Sequence, residues 1–133
     1  MSPFYNLINH GADKSSLHLF LKSLNSQNYS NFRVYMIDDA SKDLSVDYLL
    51  SELPKYPHIN NRITIIKNSR RIGALANRDQ TIRNYCQPGE IILDIDGDDC
   101  LIGKQVLNMY NRIYSNNDKA WFVYTNFLSI KGS

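Results

Sequence analysis

The sequence predicts an α/β fold, a mainly parallel sheet with helices on its faces, and two observations carry that expectation. Segments rich in Ile, Val and aromatic residues alternate along the chain with segments whose apolar residues recur every three or four positions. Each of the polar clusters Asp38-Asp39, Arg70-Arg71 and Asp96 to Asp99 follows one of the strand-like segments. In parallel sheets ligands gather there, beyond the carboxyl ends of the strands.

Taken in order, the chain opens on Ser2-Pro3-Phe4-Tyr5-Asn6 and continues through a polar, Gly-containing stretch to Gly11, to which no strand is assigned. Asp13 is suited to cap a helix, and Leu17, Phe20, Leu21 and Leu24 recur at helical spacing, so a helix is expected from about Asp13 to Asn25. After a turn at residues 27–31, Phe32 to Ile37 reads as a strand rich in β-formers that ends on Asp38-Asp39. Leu44 to Leu53 reads as a second helix, ended by Pro54. Arg62 to Ile66 is a short apolar strand, and the loop Asn68 to Gly73 leads to a third helix over Ala74 to Tyr85. Pro88-Gly89 turns the chain into the strand that starts at Ile91. Val106, Leu107, Tyr110, Ile113 and Tyr114 mark a fourth helix, and Trp121 to Phe127 a last strand.

The totals narrow the classes. A chain of 133 residues fits one domain with a real core but is small for a complete two-substrate enzyme. A formal net charge of +2 without a long basic run gives no indication of nucleic-acid binding. Cys86 and Cys100 have neither metal nor redox spacing and read as ordinary thiols of a reducing compartment. No apolar stretch is long enough to span a bilayer, and no leader pattern opens the chain, so a cytoplasmic location is expected.

The chemistry concentrates in Ile91-Ile92-Leu93-Asp94-Ile95-Asp96-Gly97-Asp98-Asp99-Cys100, where an apolar strand stops in four Asp within six residues. Carboxylates this close raise one another's pKa unless a cation neutralises them. Oxygen-only ligands on a short turn suit Mg²⁺ or Mn²⁺ shared with substrate phosphates. A calcium loop is rejected, because its sixth position is Asp99 where Gly is needed and its twelfth is Gln105 where Glu is needed. Asp94-Ile95-Asp96-Gly97 also looks like the nucleophile motif of haloacid-dehalogenase-type phosphatases, with Asp98 in place of Thr. That motif normally opens its domain, whereas here only 34 residues follow Asp99, so it stays a minor alternative. His10, His18 and His58 lack partners at ligand spacing and are assigned no role.

Two strings together resemble a known family. Gln27-x-Tyr29-x-Asn31-Phe32, the strand, then Asp38-Asp39-x-Ser41-x-Asp43 is one; Gly89-Glu90, the strand, then Asp96-Gly97-Asp98-Asp99-x-Leu101 is the other. In this order, with a strand-helix unit between them, they resemble the nucleotide-diphospho-sugar transferases of glycosyltransferase family 2, with the GT-A fold. The resemblance implies a three-layer, Rossmann-like sandwich and inverting, metal-dependent transfer of a sugar from a UDP- or GDP-sugar to a hydroxyl acceptor. It implies that Asp39 binds the nucleotide base, that Pro3 and Tyr5 lie in the loop after the first strand against base and ribose, and that Arg78, with Arg71 a looser match, lies at the diphosphate. Asp96, Asp98 and Asp99 match the metal and ribose ligands, Mn²⁺ or Mg²⁺ being the ion, and which of them makes the metal contact stays open.

Departures from the family pattern set further expectations. Only Met1-Ser2 precede Pro3, so the first, central strand is expected to be cut short. Asp94 stands where an apolar residue is usual and must reach solvent, metal or an Arg; Asp79 replaces a common Asn and Gly103 a usual Pro. The resemblance covers the nucleotide-binding half alone, so residues 1–133 are read as one domain, incomplete at both ends. The acceptor half and its general base are expected from outside the chain, for instance from a partner chain. A truncated or split module that binds nucleotide and metal without transfer is the alternative reading.

Overall fold

The computed structural model describes residues 4–10, 14–41, 45–120 and 122–123. Among them four parallel strands, β1 (Tyr5–His10), β2 (Phe32–Asp38), β3 (Ile63–Lys67) and β4 (Ile91–Ile95), form one sheet in the order β3-β2-β1-β4. Helices α1 (Lys14–Asn25), α2 (Ser45–Glu52) and α3 (Ala74–Tyr85) make the connections, and α4 (Val106–Asn116) follows β4. Strand alternation sorts the side chains into two faces. Tyr5, Leu7, Phe32, Val34 and Met36 join Leu17, Phe20, Leu21 and Leu24 of α1, Leu49 of α2, and Leu107 and Tyr110 of α4 in one buried core. Each fully buried Leu or Phe is worth about 1.5–3 kcal/mol over its exposed state, so this face carries most of the apolar stabilisation.

The other face is held differently. Tyr35 of β2 packs its ring on Tyr85 of α3, centroids 5.0 Å apart, and the buried residues of α3 are the polar Asn77 and Thr81. Thr81 donates back to the Asn77 carbonyl at 2.7 Å, and Arg78 pairs with Asp94 of β4. The result is a three-layer α/β sandwich, with a mostly apolar seam on one side of the sheet and, on the other, Ile8, Tyr35 and Ile37 buried beside polar groups of α3.

The first strand corrects a sequence expectation. It is not cut short ahead of Pro3: Tyr5–His10 forms β1, hydrogen-bonded to β2 on one side and β4 on the other. Asn6 and Asn9 interrupt the apolar run that a central parallel strand normally shows, which is why the segment reads as loop. Both are fully buried, and their Nδ2 groups donate to tertiary partners, Glu90 for Asn6 and the Ile95 and Asp96 carbonyls for Asn9. Pro54 ends α2 as expected, yet the chain makes one further 3-10 turn, Leu53–Lys55. The proposed cap Asp13, and the strand Trp121 to Phe127 apart from Phe122 and Val123, lie outside the described residues.

Candidate functional site

Connections from β1 proceed outward through β2 to β3, and the chain then returns to place β4 on the opposite side of β1. The crevice beyond the carboxyl ends of β1 and β4 is therefore the topological switch point, the favoured ligand position in such sheets. The acid turn begins there, one residue after β4. The Asp99 backbone N–H donates to the Asp96 carbonyl at 3.0 Å and closes the turn. Asp96, Asp98 and Asp99 are all exposed, and each offers a carboxylate oxygen lying within 4.8 Å of the others. Partial burial, and then the charges of Asp98 and Asp96, push the Asp99 carboxyl above its ordinary range. Oxygens bound to Mg²⁺ at about 2.1 Å lie about 3–4 Å apart, so the three exposed carboxylates fit a hard divalent ion once their side chains draw together by about 1–2 Å.

Asn9 is the residue here that the sequence did not flag. Its Nδ2 donates to the Ile95 and Asp96 carbonyls at 3.4 and 3.3 Å, tying the end of β1 to the start of the acid turn. Its signal was a polar residue in a strand-like segment, which by itself also reads as loop.

At the end of β2 the paired Asp residues divide as strand alternation requires. Asp38 turns toward the α1 and α2 side, where its Oδ1 accepts the Ser41 N–H at 2.9 Å. Asp39 turns toward α3: its Oδ1 accepts from Ile72 N at 2.9 Å and Asn68 Nδ2 at 3.0 Å, and its Oδ2 from Gly73 N at 2.8 Å. These bonds, the one from Ile72 foremost, hold the Asp39 carboxyl far below the usual carboxylate range. Gly73 is the N-cap of α3 and adopts φ 90°, a region open to Gly at little cost. Asp39 thus ends the loop 68–73 and starts α3.

The basic candidates separate as well. Arg71 is exposed in the loop that Asp39 holds. Arg78, in the second turn of α3, is ion-paired with Asp94, both side chains being about one-third exposed at 33% and 35%. Asp94 therefore reaches an Arg, one of the three outcomes open to it. Asp79 pairs with Arg83 along α3 at 2.9 Å.

Tyr5 is corrected. It does not lie in a loop beyond the sheet but opens β1 at the amino end, 0% exposed, with its ring edge-on to Tyr29 at 5.4 Å. Burial pushes its hydroxyl well above the ordinary range. An aromatic residue sealed under the sheet, at the end away from the acid turn, cannot face base or ribose. Pro3 lies outside the described residues.

Other signature residues build the architecture. Gln27 is buried, donates to the Gly103 carbonyl at 2.7 Å and accepts the Leu107 N–H at 3.2 Å, fixing the start of α4 behind the acid turn. Glu90, at the amino end of the sheet, accepts from Asn6 at 2.9 Å, Arg33 at 3.0 Å and the Gln87 N–H at 2.7 Å. His18 bonds the Tyr56 hydroxyl at 3.0 Å and His58 the Tyr29 carbonyl at 3.1 Å. The phosphatase-like string fares worse: it ends the fourth strand instead of the first, and its would-be nucleophile Asp94 is held by Arg78.

Comparison with known proteins bears on the family and the fold. The family model described as "Glycosyl transferase family 2" matches residues 2–127. A curated relative, an "Uncharacterized glycosyltransferase" of Haemophilus influenzae, is 28% identical over 111 residues, 84% of this chain and 34% of the relative. Among solved structures, S. aureus TarS 1-349 in complex with UDP-GlcNAc superposes with a TM-score of 0.69 at 21% identity, covering 86% of this chain and 32% of that one. Mannosyltransferase PcManGT from Pyrobaculum calidifontis, in complex with GDP-Man and Mn²⁺, superposes with a TM-score of 0.70 at 18% identity, covering 85% of this chain and 32% of that one. The chain thus spans about a third of the length of these relatives. Among the described residues no helix is long and apolar enough to cross a membrane.

Proposed function

The chain belongs to glycosyltransferase family 2, and we propose that it forms the donor-binding part of an inverting, metal-dependent transferase that moves a sugar from a UDP- or GDP-sugar to a hydroxyl. The observation that carries this reading is the Asp96, Asp98 and Asp99 trio at the switch point. In it, Asp39 accepts a base N–H, and Asp98, with Asp96 and Asp99, holds Mn²⁺ or Mg²⁺ and contacts the ribose. Arg71 and Arg78 attract the diphosphate. A divalent ion held there supplies positive charge against the negative charge developing on the leaving diphosphate. No general base is assigned to the chain. That group has to lie within hydrogen-bond reach of the acceptor hydroxyl, and the acceptor side is read as supplied from beyond these residues.

The second reading is a nucleotide- and metal-binding module whose transfer needs groups outside residues 1–133, such as those of a partner chain. Calorimetric titration of UDP and GDP with Mn²⁺, Mg²⁺ or EDTA tests what both readings share. Binding is expected to need the metal, to be lost in Asp99→Ala and to weaken in Asp39→Ala. Absence of binding by folded protein overturns both readings.

A further inference from the structure

We propose that Asp94 sets the affinity of the site for a nucleoside diphosphate by holding Arg78, so that a donor must compete with a carboxylate of this chain for the guanidinium. The inference rests on the donor-site reading above and adds to it a residue that opposes binding.

Asp94 lies within β4 between Leu93 and Ile95, where a layered sheet calls for an apolar side chain. Alternation turns it toward α3, and its Oδ2 meets Arg78 Nη2 there. The trio of clustered carboxylates is formed by Asp96, Asp98 and Asp99 without Asp94. Asp94 is therefore placed to occupy a cation, while the three acids beyond it are placed to attract one. Arg78 itself stands between two parts of the site: the start of its helix is tied to Asp39 through the Gly73 N–H at 2.8 Å, and its head group is bound to the strand that leads into the acid turn.

Exchange of partners is physically easy. Both side chains are about one-third exposed, at 33% and 35%, so the ion pair is screened and weak, and water can take over the released carboxylate. A guanidinium offers a forked set of donors that suits phosphate oxygens as well as a carboxylate. A diphosphate carries more charge than one carboxylate and can therefore displace it, at reduced net affinity. The sign of the effect is diagnostic. Neutralising a metal ligand weakens metal-dependent binding, whereas neutralising a competitor strengthens it.

The experiment is a double-mutant cycle read by calorimetry, with UDP, GDP and inorganic pyrophosphate as probes in the presence of Mn²⁺, using wild type, Asp94→Asn, Arg78→Gln and the double variant. Thermal melts establish that each is folded. Asp94→Asn is expected to bind the probes about two- to fivefold more tightly at low salt, a surface ion pair being worth that much, with the gain shrinking as salt rises. The gain is expected to vanish in the Arg78→Gln background, and Asp94→Leu serves as a second substitution should Asn itself disturb β4. Equal or weaker binding in the folded Asp94 variants, with wild type binding normally, overturns the proposal and leaves the donor site standing. No binding by any folded form overturns the donor-site reading and the proposal with it.

Discussion

At the scale of single residues, the turn after β2 is where backbone strain and site geometry meet. Ala40 has φ 57°, the left-handed region that costs a non-Gly residue about 1–2 kcal/mol. It is held there by its neighbours, Asp38 bonding the Ser41 N–H and Asp39 the N–H groups of Ile72 and Gly73. Ala40→Gly removes the strain at some cost in unfolded-chain entropy. Urea unfolding is expected to show a net gain of roughly 0.5–1 kcal/mol with UDP affinity unchanged, and a loss of stability would show that the turn is not strained. Asp39 likewise serves two ends, so Asp39→Ala is expected to lower the melting temperature as well as donor affinity.

At the scale of elements, the α3 face of the sheet depends on Glu90. Its bond from the Gln87 N–H, then those from Asn6 and Arg33, hold its carboxyl below the ordinary value near 4.5. A depressed acid contributes stability that is complete above the ordinary value and is lost as pH falls through the lower folded one. Glu90→Gln is therefore expected to lower stability at neutral pH by about 1.5–3 kcal/mol, the range for a hydrogen bond to a charged group. The difference from wild type should narrow as pH is taken below about 4.5. A gap that stays constant with pH in chemical unfolding curves would assign the loss to packing. Glu90 stands at the opposite end of β4 from the acid turn, so donor titrations at neutral pH are expected to be little changed.

At the scale of the whole molecule, the strand order β3-β2-β1-β4 gathers Asp39, Arg78 and the acid trio, far apart in sequence, at one edge. On the reading proposed above such an edge would bind and orient a donor, but transfer also needs a positioned acceptor and base. Incubated with a UDP- or GDP-sugar, Mn²⁺ and a panel of hydroxyl acceptors, the chain alone is expected to release nucleotide slowly and to form no glycosylated product. Efficient transfer in that assay would show that acceptor site and base lie within these residues.

What the sequence determined by itself was local and periodic. The spacing of Leu17, Phe20, Leu21 and Leu24 gave α1, the Ala74 to Tyr85 segment matches α3, and the acid cluster announced itself because four Asp in a row of six residues need a cation or solvent. Tertiary structure decided everything that rests on a distant partner. β1 was hidden because Asn6 and Asn9 read as polar loop until Glu90 and the acid-turn carbonyls supply their hydrogen bonds across 84 to 87 residues. Tyr5 was misassigned for the same reason, since its burial follows from a strand that local patterning did not show. The occupation of Asp39 by the loop before α3, and of Arg78 by Asp94, likewise appeared only in three dimensions. A side chain's chemistry is written in its own residue, but whether that chemistry is available to a ligand depends on which groups the fold has already brought to it.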